Sequence, residues 1–243
     1  MEKFSLYDLL GLLLPGVLFL HFLGILNNLF VKANIALPDT GLDLGIYICF
    51  SLILGAVLYS AGFYLTQFSF YRKILYKPTG TIYMDNHRLR NQLDKKMNEI
   101  SLAWFGKNLF LPQGDESESD KEEPDLLCKL REDFYDRMYY TLELSKNNEH
   151  PKTFQSFYFF FRQLVLACFV LLLLSVVLYG LSCLNALSLT KPDWGSLTAF
   201  ASLIILILIA SIILARWYRK RMVEKMYWFF YIYINQVNNK INE

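Results

Sequence analysis

The run RWYRKRMVEKMYWFFYIYINQVNN, Arg216 to Asn239, decides how this chain of 243 residues folds. Arg216, Arg219, Lys220 and Arg221 come first, and eight aromatic or aliphatic residues follow without interruption from Tyr227 to Ile234. A surface helix of a soluble protein carries one apolar stripe, and a membrane span carries about twenty apolar residues in a row. This run does neither. Something outside the hydrocarbon layer must cover Tyr227, Trp228, Phe229, Phe230 and Tyr231, and either the rest of the sequence or neighbouring subunits have to supply it.

The chain is 54% hydrophobic, with 20 Phe and 16 Tyr, and its apolar residues fall in blocks. Leu9 to Phe30, Leu44 to Phe68, Leu164 to Leu187 and Leu197 to Ala215 each approach or exceed the roughly 17–25 residues that cross a bilayer. Leu44 to Tyr71 and Gln163 to Thr190 contain no Asp, Glu, Lys, Arg or His. These blocks predict an all-α membrane protein with four transmembrane helices. The first block is read as a retained helix rather than a signal peptide, because Glu2 and Asp8 flank Lys3 and no small-residue cleavage site follows. His21 is the ionisable group inside these blocks, an expected neutral side chain bonded to a backbone or polar neighbour.

Lys and Arg near the helix ends set orientation. The connections Val31 to Asp43 and Ser188 to Gly195 carry one Lys each, Lys32 and Lys191. The middle segment opens with Arg72, Lys73 and Lys77 and returns through Lys152 and Arg162. Both termini and the middle segment are therefore expected in the cytoplasm.

The organisation expected is transmembrane helices 1 and 2 over residues 1–70, a cytoplasmic helical segment over 71–152, transmembrane helices 3 and 4 over 153–215, and a cytoplasmic extension over 216–243. Within the middle segment, Tyr76 to Gly80 (YKPTG) reads as a turn. Leu89, Leu93, Met97, Ile100 and Trp104 then recur at helical spacing. Pro112 to Asp125 holds seven acidic residues and one Lys, a composition that predicts a solvated, disordered loop near 113–124. A second helix is expected from Pro124, with Leu127, Leu130, Phe134, Met138 and Leu142 as its stripe. Two such stripes bury too little by themselves. The fourth span continues without Pro or Gly to about Asn239, a helix on the order of 65 Å against a hydrocarbon core of about 30 Å. Its aromatic block, the two stripes and a Phe154, Phe157, Phe161 face together predict a cytoplasmic helical domain built on extended membrane helices, with Tyr227 to Tyr231 as the assembly core.

Residues that would carry chemistry are sparse. The sequence has no P-loop, no GxGxxG after a strand, no HExxH, and no His or Cys pair at metal spacing. No enzyme activity, cofactor or metal is expected, and no recognition of DNA sequence. Ser51, Gly55 and Gly62 form a small-residue face on the second span, where close helix packing is expected. With Ser175, Ser182 and Asn185 they are candidates for helix packing or a pore lining. Arg216, Arg219, Lys220 and Arg221 suit lipid headgroups and topology. Arg88, Arg90, Lys95 and Lys96 are a candidate surface for a phosphate ligand.

The opening FSLYDLLGLLLPGVLFL and the later TFQSFYFFFRQL resemble small four-span bacterial membrane proteins, through Tyr7, Asp8, Pro15, Gly16 and Arg162. Such proteins are similar in plan to membrane effectors of anti-phage defence. The resemblance implies a bacterial inner membrane, a homo-oligomer, and a pore or membrane-disrupting activity controlled by a cytoplasmic protein or nucleotide signal. It carries over no catalytic residue. The alternative expectation is a non-conducting scaffold or sensor that recruits a soluble partner.

Overall fold

A computed structural model describes residues 9–31, 41–65, 68–110, 124–145, 149–184 and 189–242, and no strand occurs among them. The helices are α1 (Leu14–Val31), entered through a π-helical turn over Leu9–Leu13, α2 (Gly41–Leu65), α3 (Ser69–Leu75), α4 (Thr79–Met84), α5 (His87–Phe105), α6 (Pro124–Leu144), α7 (Glu149–Cys183) and α8 (Trp194–Asn242). Among the described residues, four stretches are long and apolar enough to cross a membrane: Leu9–Val31, Asp43–Leu65, Pro151–Cys183 and Trp194–Val237. The chain is an all-α, multi-pass membrane protein, as its charge-free runs predict. The acidic run near 113–124 and most of the first connection lie outside the described residues, as do Tyr7 and Asp8.

The chain divides into two compact units. Unit 1 comprises Met1–Tyr76 and Gln155–Tyr218, and unit 2 comprises Lys77–Phe154 and Arg219–Glu243. Helices α7 and α8 contribute residues to both.

In unit 1, Pro15 has no N–H to give to the carbonyl of Gly11, and the turn before it widens to a π-helix. Just beyond, α1 crosses α2 at backbone contact. A Cβ on Gly16 would stand 1.8 Å from the Ser51 carbonyl oxygen. The small face read on the second span therefore serves α1 at Ser51 and Gly55. Phe19, Leu26 and Phe30 of α1, Leu58 of α2, Leu166 to Cys168 and Leu171 of α7, and Phe200 and Ile204 of α8 form one buried cluster. The connection before α8 is tied to the end of α1, since the backbone N–H and the hydroxyl of Thr190 both donate to the Phe30 carbonyl at 2.8 Å. A second cluster gathers Tyr71, Leu75, Tyr158, Val165 and Ala215.

In unit 2, the expected turn at Tyr76 to Gly80 is shorter than read. Residues 76–78 connect, and Thr79 and Gly80 already belong to α4. Pro78 stands at the N-cap, and the Glu132 carboxylate of α6 accepts from both the N–H (2.6 Å) and the hydroxyl (2.7 Å) of Thr79. Those bonds satisfy helix-end donors that a free turn would leave to water. Gly80 lets α4 close on α6, because a Cβ there would meet the Arg131 side chain at 2.7 Å. Asn86 caps α5 by accepting from the Leu89 N–H, and its amide donates to Glu224 at 2.8 Å. Gly106, at φ 69°, ends α5 in the left-handed conformation that only glycine adopts without steric cost.

The stripes of α5 and α6 meet α8 in the unit 2 core, where Leu89, Leu93, Met97, Phe134, Met138 and Leu142 are buried. The last helix contributes Met222, Val223, Met226, Tyr227 and Phe230. This corrects in part the expectation that the aromatic block is covered all round, by the rest of the chain or by neighbouring subunits: the chain itself covers one face. Those five recur at three- and four-residue spacing, so the block buries one stripe; Trp228, Phe229 and Tyr231 are half-buried and Ile232 is exposed. A second correction concerns α7. Phe154 packs on the unit 2 core, whereas Phe157 and Phe161 stack on Tyr218 in unit 1, at 4.9 and 5.5 Å between ring centres.

Candidate functional site

The polar centre of unit 1 is Arg162. It stands on α7 directly before the charge-free run from Gln163 to Thr190, at the head of the third span. His21, which the sequence singled out as the ionisable group of the spans, lies exposed on α1 with its ring edge-on to Phe22. Arg162 is the buried one, at 4% exposure.

Three aromatic rings surround its guanidinium. The carbon at its centre lies 4.6 Å from the Phe159 ring centre, 5.6 Å from that of Tyr59 and 5.9 Å from that of Tyr158. Ring faces attract a cation and replace part of its lost hydration. Gly62 of α2 leaves the space beside it, since a Cβ there would come to 3.7 Å from Nε. The Tyr71 hydroxyl donates to the Arg162 backbone carbonyl at 3.3 Å. Burial pushes the Tyr71 phenol up to about 12, with the Arg162 charge pulling the other way. Nε and Nη2 of Arg162 are shut off from solvent and have no hydrogen-bond partner among the described residues. Neither amide atom of the fully buried Gln163 has one there, nor does the Ser51 hydroxyl.

The other serines read as a polar path are spent locally. The Ser175 hydroxyl donates to the Leu171 carbonyl (2.7 Å) and that of Ser182 to the Tyr179 carbonyl (2.8 Å), each within its own helix. Gly55 packs on Leu12 and Gly62 on Arg162, so the small face splits between two partners. Asn185 lies outside the described residues.

The basic clusters also separate. Arg216 is exposed and donates through Nε to the Ile74 carbonyl at 2.6 Å. Arg219 is buried in unit 2, where its charge acts on Asp136, so it is not presented to lipid headgroups. Lys220 and Arg221 are exposed, and both reach Glu224, at 3.9 and 3.3 Å. On α5, Arg90 pairs with Asp94 and Lys96 with Glu99, while Arg88 and Lys95 are exposed. Acids on the same helix therefore take up two of those four charges. Among the described residues, no group of three or more His, Cys, Asp or Glu could hold a metal ion. The four cysteines are unpaired.

The sequence did not single out Arg162 as a site; its signal was the charge set directly after the aromatic stretch Phe157 to Phe161. No protein-family model matches this chain, and neither a curated protein nor a solved structure matches it.

Proposed function

We propose that this chain forms homo-oligomers in the bacterial inner membrane and opens or disrupts the bilayer when unit 2 is triggered, in the manner of an anti-phage defence effector. The observation that carries this reading is the double service of α8. It places Phe200 and Ile204 in the core of unit 1 and Met222, Val223, Met226, Tyr227 and Phe230 in the core of unit 2, with no break between them. A rearrangement of the unit 2 core must move that helix, and the same helix is a membrane span. The wide apolar faces of the spans suit lipid or further copies, with Phe50, Ile53 and Val57 of α2 and Leu206, Ile209 and Ile213 of α8 exposed. The Lys and Arg bias supports a cytoplasmic unit 2 and cytoplasmic termini, where a protein or nucleotide signal would act.

The test is membrane potential, read with a voltage-sensitive dye during controlled expression, with and without phage challenge. Depolarisation by the parent and its loss in Phe230→Ala, at equal membrane insertion, is the expected result. A potential that holds in every condition rejects the pore.

One observation favours the scaffold instead. Tyr140 and Leu144, one turn apart on α6, are 64% and 87% exposed, an apolar pair on unit 2 suited to a soluble partner. Under that reading the potential holds, and Leu144→Asp abolishes capture of one defined cytoplasmic protein.

A further inference from the structure

We propose that Arg162 is a phosphate-binding residue, and that the phosphate it takes is that of a membrane lipid. The proposal stands apart from the pore reading and holds equally for a scaffold.

Arginine stays protonated at any pH a protein meets, so burial cannot neutralise Arg162. A buried cation needs a counter-charge and partners for its N–H groups. Unit 1 offers no carboxylate near it among the described residues. Asp43 stands nineteen residues before Gly62 on α2, about 28 Å along the helix. Asp193 stands twenty-two residues before Ala215, about 33 Å along α8. The aromatic rings attract the charge but accept none of its in-plane N–H bonds. What remains unbonded among the described residues is the buried Nε and Nη2 edge. Along that edge two N–H groups point in parallel, the donor pair that grips two oxygens of a phosphate.

Position selects the source. Arg162 directly precedes the charge-free run of α7. The surrounding cluster contains Tyr71, Tyr158, Ala215 and Tyr218, and the basic residue Arg216 is bonded to Ile74 of α3 beside it. Tyrosine and arginine at the end of a span mark the headgroup layer, where lipid phosphates lie. Tyr59 and Phe159 pack edge-to-face at 5.8 Å and are both half-buried. Rotation of these two side chains would admit the phosphate, a motion of the kind side chains make without moving a helix.

The experiment follows thermal unfolding of the full-length protein in neutral detergent. One arm adds dioleoylphosphatidylglycerol, a control adds dioleoylglycerol, which has the same chains and no phosphate, and a third arm adds inorganic phosphate against chloride at matched ionic strength. The phospholipid at 100 times its Kd is expected to raise the folded-to-unfolded ratio about a hundredfold. Dioleoylglycerol should not, and Arg162→Gln should lose the response. If Arg162→Gln does not fold, Arg162→Lys serves: it keeps the charge, loses the two-donor edge, and should respond at least tenfold more weakly. A response to inorganic phosphate alone, lost in either variant, keeps the phosphate site and overturns its lipid source. A parent protein indifferent to both phosphate sources, or a variant that responds as the parent does, overturns the site.

Discussion

Gly55 of α2 faces Leu12 so closely that a Cβ on Gly55 would stand 1.9 Å from the Leu12 carbonyl oxygen. Gly16 meets Ser51 in the reciprocal way, so two backbones touch where two residues lack side chains. No rotamer relieves such a clash, because the obstacle is main chain. Gly55→Ala and Gly16→Ala should each force the helices apart and lower the melting temperature in detergent by many degrees. Gly62→Ala is the control. Its Cβ would find Arg162 Nε at an ordinary 3.7 Å, and the variant should melt within a few degrees of the parent. Equal losses at all three positions would refute the crossing described.

The aromatic block offers a second contrast on one helix. Phe230 is fully buried among Phe134 and Trp104, and Ile232 is 47% exposed. Phe230→Ala should cost about 3–5 kcal/mol, the usual loss for a buried phenylalanine. Ile232→Ala should stay within about 0.5 kcal/mol in the monomer. Denaturant unfolding of the two variants checks both. A large loss at Ile232 would mean that a second copy covers that face.

These contrasts show what the residues alone made legible. The spans stand out because no stretch as long as Leu44 to Tyr71 escapes charge in a soluble helix, and α5 and α6 stand out by the period of Leu89, Leu93, Met97 and of Phe134, Met138, Leu142. Tyr83 and Phe110 do not, although both are wholly buried in the unit 2 core. Tyr83 sits on a six-residue helix too short to show a period. Phe110 lies on an irregular return held by Asn98 and Ser101, whose side chains accept from the N–H groups of Phe110 and Leu109. Such tertiary bonds leave no periodic trace. Arg162 looked like one more basic residue at a span end, because its burial depends on Tyr59 and Gly62, a hundred residues earlier.

Gln163 makes the third prediction. Its amide is buried with neither polar atom bonded among the described residues. An unsatisfied buried polar group costs about 1–3 kcal/mol, so Gln163→Leu should stabilise the isolated chain by that order. Melting in detergent at a protein concentration low enough to hold the monomer checks it. A destabilised Gln163→Leu would show that the amide has a partner, and cross-linking between copies at that position would then identify it as another subunit.

Membrane sidedness is the fourth. On the proposed orientation, Asp193, in the connection before α8, lies outside and Asp133, exposed on α6, inside. In a background without the four native cysteines, Asp193→Cys should react with an impermeant maleimide applied to whole cells. Asp133→Cys should react only after the cells are opened. Labelling of Asp133→Cys in intact cells would reverse the topology.

The last prediction separates two tyrosines whose rings touch. Tyr83 and Tyr227 lie 4.5 Å apart between ring centres, and both are fully buried. Their hydroxyls differ in one respect. That of Tyr83 donates to Asp94 at 2.8 Å, while that of Tyr227 has no hydrogen-bond partner among the described residues. Burial pushes both phenols well above their ordinary range, and the Asp94 charge adds to the effect at Tyr83, so neither hydroxyl ionises while unit 2 is folded. Removing the Tyr83 hydroxyl deletes a bond to a charged acceptor, worth about 1.5–3 kcal/mol, and leaves Asp94 its pair with Arg90. Removing the Tyr227 hydroxyl deletes a buried group that makes no bond, and the ring packing is untouched. Tyr83→Phe should therefore lower stability and Tyr227→Phe should leave it unchanged or raise it, measured by denaturant unfolding at pH 7. The same loss in both variants would place a partner on the Tyr227 hydroxyl and change the account of how α8 seats in this core.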